Sequence, residues 1–386
     1  MRRTTIAAVA AVLLITIAGV ARGHQGFERL ELLDVFELEW VSDPQISPDG
    51  SRVVYVRNFN DIMADTTRSN LWIADVASGG KRPLTTGTAD DSSPRWSPDG
   101  SKLLYVSSRD GGNELWLRWM DTGQTAKLTN LTSSPSSISW SPDGQSIAFS
   151  MFVPSTPEPF AALPPAPPGA DWADPARVMT RLQYRADGAG YLPYGFRHIF
   201  VLPADGGTPR RLTSGDYHHG GSVSWMPDSS AIAFSANRRD DWDLERSDSD
   251  VYRVAVEDGE LTRLTDRFGP DSGPVVSPDG SLIAWTGNDE RYQGYQLTQL
   301  YVMNSDGSGK RLVSGSLDRD VGSPVWRADG SGLFFQYDDE ATPRWPSSRS
   351  TVRSPTWRAA SADCRSGGRT PAARSRWRAT TASPSR

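Results

Sequence analysis

The chain has 386 residues, 37% of them hydrophobic and 23% charged, with a formal net charge of −5, a composition that excludes a mainly disordered or membrane-embedded protein. A single cysteine, Cys364, excludes an internal disulfide framework and every multi-cysteine metal site. The charge is split: from Pro343 to the end there are ten Arg and one acidic residue, leaving 31 basic against 45 acidic residues in the remainder, and an acidic body argues against nucleic acid as a partner.

At the N-terminus, Arg2 and Arg3 precede an apolar run from Ile6 to Val20, followed by Ala21-Arg22-Gly23. Charged start, short hydrophobic middle and small-residue end describe a secretory signal peptide over 1–23, with a retained anchor as the alternative. A periplasmic or secreted protein with no stable membrane span after cleavage is expected. No cysteine follows the site to carry a lipid. Residues 24–40 read as a linker and short helix, with Phe27, Leu30, Leu33, Val35 and Leu38 sharing part of a face.

The main signal is a repeat. Ser47-Pro48-Asp49-Gly50 recurs from Ser97, Ser141 and Ser277, with degraded copies from Met226 and Arg327; the starts are 50, 44, 85, 51 and 50 residues apart. A period near 50 signals a propeller or a repeat array. In each copy Pro fixes φ, Asp can bond its own backbone and Gly accepts positive φ. A short apolar strand follows, such as Val53–Val56, Leu103–Val106, Ile147–Phe149 or Leu282–Trp285. A second strand comes next (Leu71–Ile73, Leu115–Leu117, Ile199–Val201, Val251–Val254, Leu300–Val302), and a last one ends in Leu84-Thr85, Leu128-Thr129, Leu212-Thr213 or Leu264-Thr265. With the strand before each turn, the repeats have about four strands each, as in a propeller blade, except that the one from Arg327 is expected to lack its later strands, and no repeat carries a helical period. Trp96, Trp140, Trp225 and Trp326 share the position just before the turn and read as packing between blades. The fold expected over 41–342 is an all-β propeller of four-stranded blades, five to six of a possible seven or eight.

The 85-residue interval holds an insertion at about 154–195. Its first half is rich in Pro (Pro157, Pro159, Pro164, Pro165, Pro167, Pro168), which suits an extended arm, and its second half carries Trp172, Tyr184, Tyr191 and Tyr194. Loop decoration and an arm shaping a substrate entrance or partner contact are both open. Residues 343–386 have no Leu, Ile, Met, Phe or Tyr and three Trp (Trp345, Trp357, Trp377). They read as a disordered tail, either a natural basic extension or, from the abrupt change inside a repeat, an out-of-frame segment.

The search for chemistry assigns no catalytic, cofactor-binding or metal residue. There is no Gly-x-Ser-x-Gly elbow for a hydrolase nucleophile. Of the four histidines, His24 lies at the expected mature end and His198 opens a strand. His218 and His219, beside Asp216, would point to opposite faces of an extended backbone, a poor metal cluster. Asp240-Asp241-Trp242-Asp243 and Asp248-Ser249-Asp250 lack calcium-loop spacing and read as solvated loops. Asp306-Gly307-Ser308-Gly309-Lys310 has no helix behind it to receive a phosphate. No cofactor is implied.

Trp40-Val41-Ser42-Asp43-Pro44-Gln45-Ile46-Ser47-Pro48-Asp49-Gly50, followed by Val53-Val54-Tyr55-Val56, resembles the opening of acylaminoacyl-peptidase and dipeptidyl-peptidase-like members of the prolyl oligopeptidase family; the later Asp-Gly-Gly and Arg-Leu-Thr patterns agree. The resemblance covers about Leu30–Asp339. It implies a propeller that gates peptide substrates toward an α/β-hydrolase domain with a Ser-Asp-His triad. No residue here matches a triad position, so the chain is expected to lack proteolytic activity of its own. The Ser-Pro-Asp-Gly repeats also resemble those of TolB, which implies the alternative, a periplasmic propeller scaffold that binds a protein partner.

Overall fold

A computed structural model describes residues 31–157, 161, 164–173, 176–339 and 342–344; the signal-peptide and tail readings, His24, Leu30, Cys364 and the three late Trp lie outside them. The chain divides into two compact units, Met1–Pro157 with Tyr194–Leu212, and Glu158–Pro193 with Thr213–Arg386.

In the first unit, the first blade is β1 (Glu39–Ile46), β2 (Arg52–Asp61), β3 (Thr66–Asp75) and β4 (Lys81–Pro83), and the second is β5 (Asp91–Trp96), β6 (Lys102–Ser107), β7 (Glu114–Trp119) and β8 (Thr125–Lys127). The third begins with β9 (Pro135–Trp140) and β10 (Ser146–Pro154). The hairpin β11 (Arg185–Ala186) and β12 (Gly190–Tyr191), which belongs to the second unit, intervenes before β13 (Gly195–Pro203) and β14 (Arg210–Arg211) complete the sheet. β10 pairs with β13 from Ser146↔Pro203 out to Pro154↔Gly195, so the chain between them leaves and returns at one end of a continuous ladder.

The second unit holds β15 (Ser224–Trp225), β16 (Ala231–Ala236), β17 (Asp250–Ala255) and β18 (Leu261–Arg263), then β19 (Asp271–Val276), β20 (Leu282–Gly287), β21 (Gln299–Asn304) and β22 (Arg311–Leu312). The last described blade is β23 (Val321–Trp326), β24 (Leu333–Asp339) and β25 (Thr342–Arg344). All pairings are antiparallel between sequence neighbours within a blade.

Burial explains the strand sequences. Leu103, Leu104, Tyr105 and Val106 are all buried. A strand covered on both faces reads as a continuous apolar run rather than an alternation, and each such side chain contributes about 2 kcal/mol of transfer free energy. Val54 and Val56 pack with Leu71, Ile73 and Leu84 of the first blade onto Trp96, Leu103, Tyr105 and Trp116 of the second. The same seam recurs between the second and third blades (Leu104, Val106, Leu115 and Leu117 on Ile138, Trp140, Ile147 and Phe149), and in the other unit between the fourth and fifth (Ala233, Val251 and Leu264 on Val276, Ile283 and Trp285).

The repeat motif closes the first turn of each blade. Ser47 Oγ donates to Asp49 Oδ1 at 2.5 Å and accepts from Arg52 N at 2.9 Å, while Asp49 also takes Ser51 N and Ser51 Oγ. Ser97/Asp99 and Ser277/Asp279 repeat this set of bonds. Gly100 at φ 72° and Gly280 at φ 73° do double service. A Cβ on Gly100 would lie 3.4 Å from Pro48 of the preceding blade, and one on Gly280 3.1 Å from Pro227.

At the other end of the blade, hydroxyls of Thr85, Thr129, Thr265 and Ser314 accept the backbone N–H of Leu71, Leu115, Val251 and Leu300 at 2.9–3.2 Å. The threonine of the Leu-Thr ending therefore pins the last strand onto its neighbour. In five of the six blades the first strand bulges four residues before the turn motif, with Asp43, Ser93, Ser137, Gly273 and Ser323 in left-handed conformation.

Four expectations need correction. The helix expected in 24–40 is a two-turn 3-10 segment, Leu32–Glu37, with no buried residue and Leu32 and Leu33 turned out to solvent. Asp34 holds the Glu31 N–H, and β1 already starts at Glu39, too early for an amphipathic helix to be completed. His198 does not open its strand but sits mid-strand opposite Met151. The last blade has a third strand: Tyr337↔Arg344 and Asp339↔Thr342 pair across β24 and β25, so Pro343 and Arg344 belong to a sheet rather than to a disordered tail. Backbone pairing at an outer strand tolerates Pro and does not need an apolar side chain. Asp248 and Asp250 are buried, not solvated, for the electrostatic reason given below.

Candidate functional site

The most elaborated surface lies in the second unit, where the arm between β10 and β13 meets the loops of the fourth blade. The hairpin β11–β12 turns through Gly188 and Gly190, both at positive φ. It stacks Tyr184 near Tyr191 with ring centroids 6.2 Å apart, and Arg177 lies 4.3 Å over Tyr191. Leu192 N donates to Tyr184 O at 2.8 Å.

Three bonds or contacts fasten the arm to the loop between β16 and β17. Leu182 N donates to Asp243 Oδ2 at 2.8 Å, Arg246 donates to Gln183 Oε1 at 2.5 Å, and the Arg181 guanidinium lies 5.6 Å over Trp242. Trp242 also meets His218 in a T-shaped contact, with ring centroids 6.1 Å apart and planes at 83°. Asn237 closes the loop by donating to Glu245 O at 2.7 Å. Asp240 and Asp241 are exposed, as a solvated loop requires, whereas Asp243 satisfies an arm N–H and Trp242 contacts both Arg181 and His218. Trp172, by contrast, is half exposed.

His218 is exposed whereas His219 is buried, so the two rings make separate contacts. His219 is fully buried against Phe234 (5.8 Å) and hydrogen-bonds Arg238, whose guanidinium lies 4.8 Å over Tyr217 and donates to Ser214 O at 3.1 Å. Asp216 is exposed. The same unit carries a set of ion pairs between buried carboxylates and partly exposed arginines. Arg239 meets Asp248 at 2.5 Å and Asp250 at 3.7 Å, and Arg263 meets Asp250 at 2.6 Å. Arg267 meets Asp271 at 2.5 Å, and Trp285 Nε1 donates to Asp271 at 2.9 Å. Burial pushes the Asp250 carboxyl up to about 6 against the opposing pull of Arg263 and Arg239. The arginines are what allow these carboxylates to leave water.

In the first unit an open cleft of about 570 Å³ is lined by Thr85, Thr86, Thr88, Ser108, Arg109 and Arg118 among others. Its Arg109 is already engaged, lying 4.4 Å over Trp116, donating to Tyr105 Oη at 3.1 Å and facing buried Asp91 at 3.8 Å. Asp306 to Lys310 forms the turn between β21 and β22. Asp306 accepts Ser308 N, and Lys310 reaches Asp266 at 3.2 Å. Among the described residues no group of three or more His, Cys, Asp or Glu is placed to hold a metal, and no helix is long and apolar enough to cross a membrane.

The arm–loop surface presents exposed Tyr184, Tyr191, Leu182 and Leu244 beside Arg177 and Arg246. Aromatic faces and guanidinium groups together bind main-chain amides, carboxylates and apolar side chains. Sequence reasoning weighed this arm as decoration or function and did not see its fastening, because Leu182 and Asp243 are 61 residues apart and carry no motif.

Comparison with known proteins agrees with this architecture. The TolB beta propeller domain matches residues 31–153, and the dipeptidyl peptidase IV N-terminal region matches residues 172–291. The uncharacterized peptidase YuxL of Bacillus subtilis is 29% identical over 328 residues, 80% of this chain and 48% of that protein. Dipeptidyl-peptidase 5 of Porphyromonas gingivalis is 28% identical over 323 residues, 79% of this chain and 45% of that protein. This chain thus spans about half the length of these relatives. Acylaminoacyl peptidase of Pyrococcus horikoshii aligns over 80% of this chain and 44% of its own, with TM-score 0.60 and 18% identity. The β-propeller domain of the Trilobed protease from Pyrococcus furiosus aligns over 80% of each chain, with TM-score 0.53 and 17% identity. The chain is an all-β propeller domain related both to TolB and to the propellers of these peptidases.

Proposed function

We propose that this chain is an exported recognition propeller, a scaffold that binds an extended segment of a protein partner through the arm–loop surface of its second unit. The observation that carries this reading is the fastening of the arm by Leu182–Asp243, Gln183–Arg246 and Arg181–Trp242, which holds exposed Tyr184 and Tyr191 beside Arg177 in a fixed arrangement. Pre-ordering of aromatic and Arg side chains lowers the entropic cost of binding. The match of the TolB propeller domain to residues 31–153 and the charged-then-apolar N-terminus support it.

A second reading is favoured by the match of the dipeptidyl peptidase IV N-terminal region over the arm and fourth blade. In it the same surface gates peptide substrates toward a hydrolase domain, and these residues supply no nucleophile. Fluorescein-labelled peptides titrated against the protein by anisotropy test both. Binding that Tyr191→Ala and Arg177→Ala weaken, with no serine labelled by a fluorophosphonate, supports the scaffold. Binding unchanged by either substitution removes the arm from the site, and a labelled serine within this chain overturns the non-catalytic part of both readings.

A further inference from the structure

One position in the second blade breaks the pattern of the others. Leu71, Leu115, Ile199, Val251 and Leu300 are equivalent, because each carbonyl accepts the same backbone N–H from the end of its own blade (Leu84, Leu128, Leu212, Leu264 and Val313). Three residues further along each strand stand Ala74, Arg118, Leu202, Val254 and Met303. Leu202, Val254 and Met303 are fully buried, and Met303 packs with Leu264 and Trp285 in the seam between the fourth and fifth blades. Arg118 shares a strand face with Trp116, which packs into the seam between the first and second blades. A guanidinium thus occupies a seam position that is apolar in the other four complete blades.

The seam is open at this place. In the third and fifth blades the glycine of the following turn closes on the leucine of the preceding blade. A Cβ on Gly206 would lie 4.0 Å from Leu128, and one on Gly307 3.1 Å from Leu264. On Gly123 it would instead lie 3.1 Å from the Arg118 guanidinium, and Gly123 and Leu84 both line the cleft of about 570 Å³. The cleft is therefore a gap in the first seam, between two complete blades of one compact unit.

Its chemistry is cationic and hydroxylic. No Asp or Glu lines it. Among the described residues Arg118 has no hydrogen bond and no carboxylate at ion-pair distance, although it is half-buried and acidic residues outnumber basic ones in this body. Arg109 is held in place by Nε to Ser107 Oγ at 3.2 Å and Nη2 to Tyr105 Oη at 3.1 Å, with its plane over Trp116. That leaves its Nη1 without an acceptor among the described residues. Ser108 Oγ accepts Asp90 N at 2.9 Å, so its own proton is available to donate, and Thr86, Thr88 and Thr125 add further hydroxyls. Partial burial of an unpaired guanidinium costs desolvation that an anion in the cleft would offset, and the volume suits a small molecule.

We infer that this cleft binds a small polar molecule carrying an oxyanion group, phosphate or carboxylate, with Arg118 as its charge partner and Arg109 Nη1 and the lining hydroxyls as further donors. The site is independent of the arm–loop reading and adds to it.

Isothermal titration calorimetry of the full chain in low salt tests this with three anionic probes, inorganic phosphate, glycerol 2-phosphate and citrate, and with glycerol as the neutral comparison. At least one anion is expected to bind, more weakly as salt is added, and glycerol is not. Phosphate against citrate distinguishes the two sources of the oxyanion. Arg118→Met, which installs the side chain of the fifth blade, is expected to weaken binding at least about ten-fold while the melting temperature holds or rises. Lys310→Gln, on the turn between β21 and β22, should bind like wild type. A wild type that binds none of the anions overturns the inference, as does binding that Arg118→Met leaves unchanged or that Lys310→Gln weakens equally. Should Arg118→Met melt below wild type, Arg118→Gln, which keeps a polar side chain and removes the charge, is titrated instead: weakened binding supports the site and unchanged binding overturns it.

Discussion

The indole Nε1 of Trp96 donates to the carbonyl of Gln45 at 3.1 Å, and this bond ties the second blade to the first. Trp140 does the same to Arg95 at 3.1 Å, and Trp326 to Val275 at 2.9 Å. The acceptor is always the residue two before the turn of the preceding blade. Where Val276 replaces the tryptophan, its own N–H reaches Ser224 Oγ, at that same position, at 3.0 Å. The recurring Trp is thus a structural rivet with a defined acceptor.

Trp96→Phe keeps most of the packing and removes the donor. It should destabilise by about 1 kcal/mol, and Trp96→Ala by about 3–5 kcal/mol because a cavity is added. Denaturant titration followed by far-UV circular dichroism distinguishes the two, and equal losses would mean that the bond contributes nothing.

The turn glycines separate two effects. A Cβ on Gly50 meets nothing within 4 Å, so Gly50→Ala should cost only the strained backbone, about 1 kcal/mol. Gly280→Ala adds the 3.1 Å approach to Pro227 and should cost more than Gly50→Ala. Melting temperatures of the two variants, compared side by side, check the order.

Hydrogen bonds from Ser97 and Ser101 hold the Asp99 carboxyl at about 2, and those from Ser47 and Ser51 do the same for Asp49. A folded-state pKa below the unfolded value of about 4 gives a contribution present above pH 4 and lost as pH falls toward 2. Ser97→Ala should raise the Asp99 pKa toward its ordinary value and soften the acid transition. Carboxyl carbon shifts followed by NMR through the titration read this directly.

Asp250 works in the opposite direction. Its pKa of about 6 lies above the unfolded value, so its contribution is fully present below about pH 4 and is lost as pH rises through 6. Asp250→Asn should flatten the stability profile between these limits. It should also weaken the hold on Arg263, which sits 2.6 Å away. Chemical denaturation at a series of pH values checks the slope, and an unchanged profile would assign the titration elsewhere.

What the sequence settled was local. Pro-Asp-Gly with a flanking Ser specifies a turn through bonds within five residues, and runs such as Leu103–Val106 bounded by such turns read as strands. Repetition of that unit was enough to read the blades. What tertiary structure decided was every relationship between side chains far apart in the chain. The Trp acceptors lie 45 or 51 residues away. Thr129 reaches Glu114, and Arg263 reaches Asp250, only after strands pair. Asp248 and Asp250 look like solvent-facing acids in a list of residues, and only folding surrounds them with Arg239 and Arg263. The arm is held by single contacts with no sequence signature, because any residue except proline can donate the N–H that Leu182 gives to Asp243. Hydrogen bonds within a turn are encoded by composition at fixed short spacing, whereas packing across blades depends on the distance that only the assembled sheets create.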